Sequence, residues 1–245
     1  IYYWDKTGGF STRAVNLSSL AGSTTAPTVA KQIMVSDRDR HIIAFGCDSE
    51  LSPGVQDPLL IRFSSQESLT DWATRPDNTA GELRIGSGSE IVAAVETRQQ
   101  ILVYTDESLY AMQFLGPPFT FGVNLISENT TTMGPLSAVA VEDNVFWMGL
   151  KEFYSYGGTV QRLPCTVRDF VFDDFNLLQR EKVVAATNTA FSEIWWFYPS
   201  ASSDNNDRYV VYNYEQQVWY YGTLARSFWM DRGIFDNPIA AGPNN

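Results

Sequence analysis

The feature that most constrains this chain is a repeated order of short apolar segments, in which small and β-branched residues come first and aromatic residues later. In one copy the segments are Ile91–Val95, Ile101–Tyr104 and Ser108–Phe114. In the next two copies they are Ser137–Val141, Val145–Met148 and Phe153–Tyr156, then Val183–Thr187, Ile194–Phe197 and Tyr209–Tyr212. Equivalent positions are 46 residues apart, as from Val95 to Val141 and from Val141 to Thr187. Modules of about 40–50 residues with several short strands are typical of β-propeller blades.

The repeat predicts an all-β fold, a β-propeller built from antiparallel blades of about 46 residues. The clearest repeats are 91–136, 137–182 and 183–233, within a propeller region that spans 1–245. We expect the blade cores to hold Val95, Val103, Val141, Phe146, Ala185 and Trp195.

Two other parts of the pattern complete this prediction. Asp169–Gln179 is expected to form a short helix or an irregular loop, and Val218–Tyr221 the fourth strand of its blade. Ile1–Trp4 has the composition of a strand at the very start of the chain. Near the end of the chain, Ile234–Gly242 resembles the first part of another repeat. We therefore expect the chain to be a fragment of a longer protein.

The charge balance argues against a protein that grips nucleic acid. The chain carries 17 basic and 28 acidic residues, a net charge of −11, and its basic residues are scattered. Tight sequence-independent binding of DNA needs clustered lysine and arginine to replace counterions. An acidic surface past which DNA slides remains compatible with the sequence. No apolar run approaches the roughly 20 residues of a membrane span.

The chain has few of the histidine and cysteine residues that commonly serve in catalysis or metal binding. His41 is the only histidine, so a serine triad or a zinc site is not indicated. Cys47 and Cys165 lie 118 positions apart. A disulfide between them is one interpretation, but we favour two free thiols, since each cysteine stands alone and the two fall in different repeats.

Acidic and aromatic groups offer weaker alternatives. Asp169, Asp173 and Asp174 invite comparison with a glycosidase pair, and the Asp204–Asp207 run with a calcium loop. Solvated loop acids and a flexible hairpin loop are the interpretations we favour. Trp195–Tyr198 and Trp219–Tyr221 could stack on carbohydrate, but packing between sheets is favoured. We therefore assign no catalytic, cofactor-binding or metal-ligating residue, and expect no enzyme activity and no cofactor.

Several segments resemble the tail nozzle proteins of short-tailed phages, the packaged-DNA-stabilisation or tail tubular protein B type. The resemblance runs through most of residues 30–242, and its most particular match is Gln113–Gly122. The other matching segments are Arg40–Gly46, Leu60–Ser64, Leu69–Trp72, Ala80–Ile91, Gly134–Pro135 and Phe146–Trp147. Family members are longer than this chain, which fits the expectation of a fragment.

The resemblance implies a non-enzymatic structural protein of the virion tail, made in the host cytoplasm. It implies a homo-hexameric ring below the portal and adaptor rings, in contact with other tail proteins such as the adaptor and the tail fibre or spike. Genomic DNA would be retained by the channel and released through it without tight binding. The family brings no catalytic residues.

Two other functions stay open on the sequence. One is a carbohydrate-binding or glycan-cleaving β-propeller of a tail or cell surface, which requires two carboxylates facing one cleft for cleavage. The other is a propeller scaffold for intracellular protein partners, which predicts a monomer.

Overall fold

The computed structural model describes residues 1–242 and contains 20 strands in that range, with one short α-helix. The chain divides into two compact units, unit 1 from Ile1 to Glu128 and unit 2 from Asn129 onward.

Unit 1 contains two four-stranded sheets and one small ribbon. The ribbon pairs β1 (Tyr2–Tyr3) with β2 (Val15–Asn16). The first sheet consists of β3 (Ala30–Val35), β4 (Ile42–Cys47), β5 (Leu60–Phe63) and β6 (Gly81–Arg84). The second consists of β7 (Ile91–Glu96), β8 (Ile101–Thr105), β9 (Ser108–Gly116) and β10 (Thr120–Glu128). In both sheets each strand pairs antiparallel with the strand before it in the sequence.

Unit 2 repeats this arrangement with a helix between its two sheets. Its first sheet consists of β11 (Ala138–Val141), β12 (Asn144–Met148), β13 (Phe153–Tyr156) and β14 (Val160–Leu163). The helix α1 (Arg168–Asp173) follows, and then a 3-10 segment at Leu177–Lys182. The second sheet consists of β15 (Val184–Asn188), β16 (Glu193–Tyr198), β17 (Arg208–Asn213) and β18 (Val218–Thr223). A final ribbon pairs β19 (Phe228–Met230) with β20 (Ile239–Ala241). The remaining 3-10 segments of the described chain are Lys6–Gly8, Leu17–Ser19 and Thr189–Phe191.

The predicted fold class, all-β with antiparallel propeller blades, is confirmed. Four successive sheets have the four-stranded meander of a blade. The repeats 91–136, 137–182 and 183–233 each contain one of these sheets. α1 lies inside the segment expected to be a helix or loop, and β18 is the predicted fourth strand. That the chain is a fragment stays a prediction.

The core predictions were right for some residues and wrong by one position for others. Val103 and Phe146 are buried, while Val141 and Ala185 are half-buried and pack against the core of unit 2. Val95 and Trp195 are also only half-buried, and their neighbours Ala94 and Trp196 take the core positions. Side chains alternate between the faces of a strand, so an error of one residue exchanges the buried face for the other.

In unit 1, polar contacts connect β3 to the next sheet. Ser36 donates from its hydroxyl to the Glu96 carboxylate at 3.0 Å. Lys31 pairs with Glu90 at 2.6 Å. β3 and β7 are the first strands of their sheets, so these contacts join the two blades along corresponding strands.

In unit 2, the corresponding connection uses the backbone and an indole. Ala185 N donates to Leu136 O at 2.7 Å, which continues β15 alongside the segment before β11. The indole of Trp196 donates to Ser137 O at 3.1 Å. Since Trp196 is fully buried, its only polar atom needs such a partner, and this bond satisfies that requirement.

Candidate interaction surfaces

Of the three candidate acids around α1, Asp169 and Asp174 are held in local ion pairs, whereas Asp173 has none within residues 1–242. Asp169 pairs with Arg168 at 2.6 Å, and Asp174 pairs with Arg208 at 3.3 Å. Side chains that already neutralise one another in this way are poorly suited to acid–base catalysis, where a free carboxyl must meet the substrate. The cluster therefore has the arrangement of surface acids that stabilise their own segment.

The loop between β16 and β17 uses its acidic residues to fix its own turn. The Asp207 carboxylate accepts from Ser200 N at 2.7 Å and from the Ser200 hydroxyl at 2.8 Å. Asp204 accepts through its backbone oxygen from Lys182 Nζ at 2.5 Å. Within residues 1–242, no three His, Cys, Asp or Glu side chains are placed to hold a metal ion together.

His41 lies in an aromatic environment inside unit 1. Its side chain is fully buried, with Nε2 3.2 Å from the hydroxyl of Thr79 and the ring of Phe121 at 5.0 Å between centroids. Burial lowers the pKa of His41, while Asp39 acts in the opposite direction. The residue is therefore a neutral core histidine at physiological pH.

Both cysteines are free thiols. Burial raises the pKa of Cys47 to about 12 and the pKa of Cys165 to about 11. Because the thiolate is the nucleophile and the metal ligand, neither residue has the environment of a reactive cysteine.

Most of the aromatic residues considered as a carbohydrate platform are used in packing. Trp196 and Tyr198 belong to the core of unit 2. Trp195 stacks on Trp229 of β19, with 5.6 Å between ring centroids and 10° between planes. The packing interpretation is thus confirmed for Trp195–Tyr198 and for Trp219, which packs against the core of unit 2, but not for Tyr220 and Tyr221, which are exposed.

An exposed apolar group occurs at the turn between β9 and β10, and we call it the hairpin tip. It consists of Phe114, Leu115, Pro117, Pro118 and Phe119. Phe119 is 73% exposed, Leu115 58% and Phe114 36%. No charged residue occurs from Ser108 to Ser127. The tip therefore presents apolar side chains from a stretch of chain that contains no charged residue.

A second exposed apolar group lies along β18, and we call it the aromatic edge. It consists of Val218, Tyr220 and Tyr221 of β18 and of Phe170 of α1. Val218 and Tyr220 lie on one face of the strand, and Tyr221 lies on the other face, against Phe170. In the order in which they are named first, their exposed fractions are 46%, 37%, 47% and 44%. β18 is the last strand of its sheet, with β17 as its one strand neighbour. No charged residue occurs from Gln216 to Ala225.

The last strands of the other two sheets differ from these. β6 contains Arg84, which pairs with Asp57 at 2.7 Å. β14 contains Arg162, which pairs with Glu152 at 3.4 Å. Charged side chains on edge strands are a common protection against pairing with other chains. β18 lacks this protection, and β10 carries a charge only at its last residue.

These two surfaces are the functional candidates that sequence reasoning missed. Gln113–Gly122 stood out by resemblance, yet none of its residues was assigned a role. The signal available in the sequence was the long interval without charge around an apolar turn. The sequence does not show that Leu115 and Phe119 are exposed to solvent, because residue type alone does not distinguish an exposed apolar residue from a buried one.

A groove of about 490 Å³ lies in unit 1 beside the hairpin tip. One side is the turn 117–120, and the other consists of residues 74–76 and 78–83, from the loop before β6 and β6 itself; Phe63 also contributes to its lining. Glu82 is the single carboxylate among the residues that line it. The groove thus has an aromatic ring on one side, that of Phe119, but no pair of acids.

Comparison with known proteins shows only distant structural similarity. No family model matches the chain, and the search of curated proteins found no match. Among solved structures, the N-terminal domain of Nup159 has 9% identity and a TM-score of 0.42, and the match covers 79% of this chain and 43% of that one. A complex from S. cerevisiae, a Dbp5 variant bound to Nup159, a Gle1 variant, IP6 and ADP, matches at 9% identity and a TM-score of 0.35. That match covers 81% of this chain and 62% of the other.

Within residues 1–242, no helix is long and apolar enough to cross a membrane.

Proposed function

We propose that this chain is a non-enzymatic structural subunit of a phage tail nozzle, which forms with its neighbours part of the ring-shaped channel that retains and releases genomic DNA. The observation that carries the proposal is the position of Gln113–Gly122, the segment with the most particular resemblance to nozzle proteins. Most of its apolar side chains are exposed at the hairpin tip instead of filling the core. Apolar residues at such a position suit contact with another molecule.

The charge distribution supports a channel that does not hold DNA tightly. Both units are acidic: unit 1 has 9 basic against 15 acidic residues, and unit 2 has 8 against 13. Several basic side chains are also engaged by carboxylates, including those of Lys31, Arg84 and Arg168. Attraction at each phosphate would slow the passage of a genome, so an acidic wall with few free cations favours transit.

The architecture supports a mechanical role. Each unit is made of short strands in meanders, closed by tight turns and joined by side-chain contacts such as that between Ser36 and Glu96. In the proposed assembly six copies form a ring below the adaptor in the virion tail, after synthesis in the host cytoplasm, and contact the adaptor and the tail fibre or spike.

A carbohydrate-binding propeller is the second candidate, and the groove beside Phe119 is the observation that favours it. A sugar ring stacks well on an exposed aromatic side chain. With Glu82 as the one carboxylate of its lining, the groove fits binding without cleavage, because glycoside hydrolysis commonly uses two carboxyl groups.

The test is a pair of binding titrations on the purified chain, one with duplex DNA over a range of salt and one with a panel of glycans. We expect no duplex binding at physiological salt and no glycan binding. Tight duplex binding that weakens steeply with salt would contradict the channel proposal and favour a clamp. Saturable glycan binding that Phe119→Ala abolishes would favour the second candidate.

A further inference from the structure

We propose that the outer edge of β18 binds an extended segment of a partner protein, which adds antiparallel to the sheet as a fifth strand. The segment is amphipathic, with lysine or arginine on one face and apolar side chains on the other. This binding is independent of the nozzle proposal, because it needs one copy of the chain and no ring.

The backbone of β18 has hydrogen-bonding groups that face away from its own sheet. Leu224 N donates to Asp207 O at 3.1 Å, and the hydrogen-bonded pairs of an antiparallel ladder alternate along the strands. The N–H and C=O groups of Trp219, Tyr221 and Thr223 therefore point away from β17. Among residues 1–242, β17 is the one strand paired with β18. An added strand would satisfy these groups, as extended peptides do at other sheet edges.

The last strands of the other three sheets are protected against such addition, and β18 is not. β6 and β14 carry charged residues, among them Arg84 and Arg162. β10 has two shifts of register, one of them between Leu125 and Ser127. β18 pairs with β17 in one continuous register over Val218–Thr223, without a charged residue or a proline. Since charges, prolines and bulges are the usual protections of an edge, β18 is the most open of the four.

The side chains of β18 offer different surroundings on its two faces. Val218 and Tyr220 lie on one face, and Tyr221 lies on the other, where its ring is 4.0 Å from that of Phe170 between centroids. Successive residues of an added strand would alternate between these faces. One row of its side chains would lie beside Val218 and Tyr220, and the other row beside α1.

The face beside α1 favours basic side chains. Asp169 and Asp173 are exposed on the same helix as Phe170. Arg168 pairs with Asp169 at 2.6 Å but also with Glu152 at 3.0 Å. Within residues 1–242, no ion pair engages Asp173. Lysine and arginine pack their methylene groups and their charge against aromatic rings, and both pair with carboxylates.

The opposite face favours apolar side chains. Val218 and Tyr220 are 46% and 37% exposed there. The Glu193 carboxylate on this face accepts from Asn188 Nδ2 at 3.1 Å and from Trp195 Nε1 at 2.9 Å. The Tyr220 hydroxyl donates to it as well. An apolar side chain beside Val218 and Tyr220 would remove apolar area from water and leave these hydrogen bonds in place.

Charge favours a basic partner over a second copy of the chain. Unit 2 has 8 basic against 13 acidic residues, and Glu215 is exposed in the turn before β18. The nearest cation after the strand in the sequence is Arg226. A second copy also carries a net charge of −11 and is repelled, whereas a segment rich in lysine or arginine is attracted.

The experiment measures fluorescence anisotropy of labelled synthetic peptides with the purified chain. The peptides have about eight residues, in which lysine alternates with valine, isoleucine or tyrosine. In an antiparallel pair, residues opposite each other lie on the same face. The lysines would therefore stand opposite Tyr221 and its outward neighbours, with their own N–H groups towards β18.

Three matched peptides separate hydrogen bonding from charge. One has N-methyl groups on the lysine amides, the second has them on the apolar residues, and the third has glutamate in place of lysine. We expect methylation at lysine to weaken binding about tenfold or more, because it removes the donors that face β18. Methylation at the apolar residues should leave binding unchanged, and the glutamate peptide should bind at least about tenfold more weakly.

A pair of variants tests the same edge from the side of the protein. Thr223→Pro removes an outward N–H, and proline is accepted on an edge strand where its nitrogen faces solvent. Thr223→Ala is the matched control, because it keeps the N–H. We expect the proline variant to bind about tenfold more weakly and the alanine variant to bind as the wild type does. Circular dichroism melting checks that both variants are folded, and the peptide series on the wild type stays decisive if the proline variant is not.

Several results would overturn the inference. Binding by none of the lysine peptides, equal binding of the peptide methylated at lysine, or equal binding of the glutamate peptide would each do so. A dimer of the wild type that Thr223→Pro dissociates and Thr223→Ala does not would show that a second copy occupies the edge. Since none of these measurements involves a ring, the nozzle proposal can fail while this inference holds, and the reverse.

Discussion

The side-chain amide of Gln32 and the backbone of Ala94 hydrogen-bond to each other in both directions. Gln32 Nε2 donates to Ala94 O at 2.8 Å, and Ala94 N donates to Gln32 Oε1 at 2.9 Å. Gln32 lies on β3 and Ala94 on β7, the first strands of the two sheets of unit 1. The Gln32 side-chain amide thus makes the two hydrogen bonds that a peptide group would make, and it joins the first sheet to the backbone of β7 in the second sheet.

Replacing this amide should destabilise unit 1. Gln32→Ala removes both bonds and leaves the N–H and C=O of the buried Ala94 without this partner, at a cost of about 1–3 kcal/mol in the free energy of unfolding. Gln32→Glu retains an acceptor for Ala94 N but brings an anion to Ala94 O, so it should also destabilise. Urea unfolding measures the effect. Gln99→Ala, at an exposed position, serves as control, and equal stability of the control and Gln32→Ala would contradict the role of this pair.

The stability of the protein should fall as the pH drops below about 6.5, because of His41. Burial lowers the pKa of His41 in the folded state, so the unfolded chain binds a proton more readily. The contribution of the neutral His41 side chain to the free energy of unfolding is fully present above the unfolded-state pKa. It is lost as the pH falls towards the folded-state pKa. Asp39 opposes the shift but does not reverse it.

His41→Gln isolates this contribution, since every carboxylate is common to both proteins. The difference in the free energy of unfolding between the wild type and His41→Gln should change with pH between about 5 and 7. A difference that stays constant over this range would show that His41 titrates equally in the folded and unfolded states.

Both thiols should react slowly in the native protein. Burial holds the pKa of Cys47 near 12, so almost no thiolate exists at pH 8 and alkylation should be slower than in a model peptide. Cys165, with a pKa of about 11, should also react slowly, though faster than the fully buried Cys47. In denaturant without reductant, thiol counting should give two per chain. A count of zero without an intermolecular dimer would indicate a bond between Cys47 and Cys165.

Removal of metal ions should leave the melting temperature unchanged. The Asp207 carboxylate already accepts a hydrogen bond from Ser200 N, and the backbone oxygen of Asp204 accepts one from Lys182 Nζ. Thermal melts with chelator, and then with added calcium, make the measurement. A rise of several degrees with calcium would contradict this account and identify the Asp204–Asp207 loop as a cation site.

Much of the fold could be predicted from the sequence, because the 46-residue spacing fixes where the last three of the four sheets begin, at Ile91, Ala138 and Val184. Which face of a strand is buried was harder to predict. In β7 the consecutive apolar residues Ala93, Ala94 and Val95 leave the alternation of buried and exposed positions ambiguous by one residue. Contacts such as that between Gln32 and Ala94 join residues 62 positions apart and have no local signature. The candidate surfaces were missed for a related reason: the exposure of Phe119 depends on where the chain turns, and its residue type does not report it.

Negative-stain imaging of the purified full-length protein tests the central claim most directly. The account predicts six-membered rings with an open centre, formed without added DNA or metal. A population of single particles with no ring would contradict the assignment of this chain as a nozzle subunit.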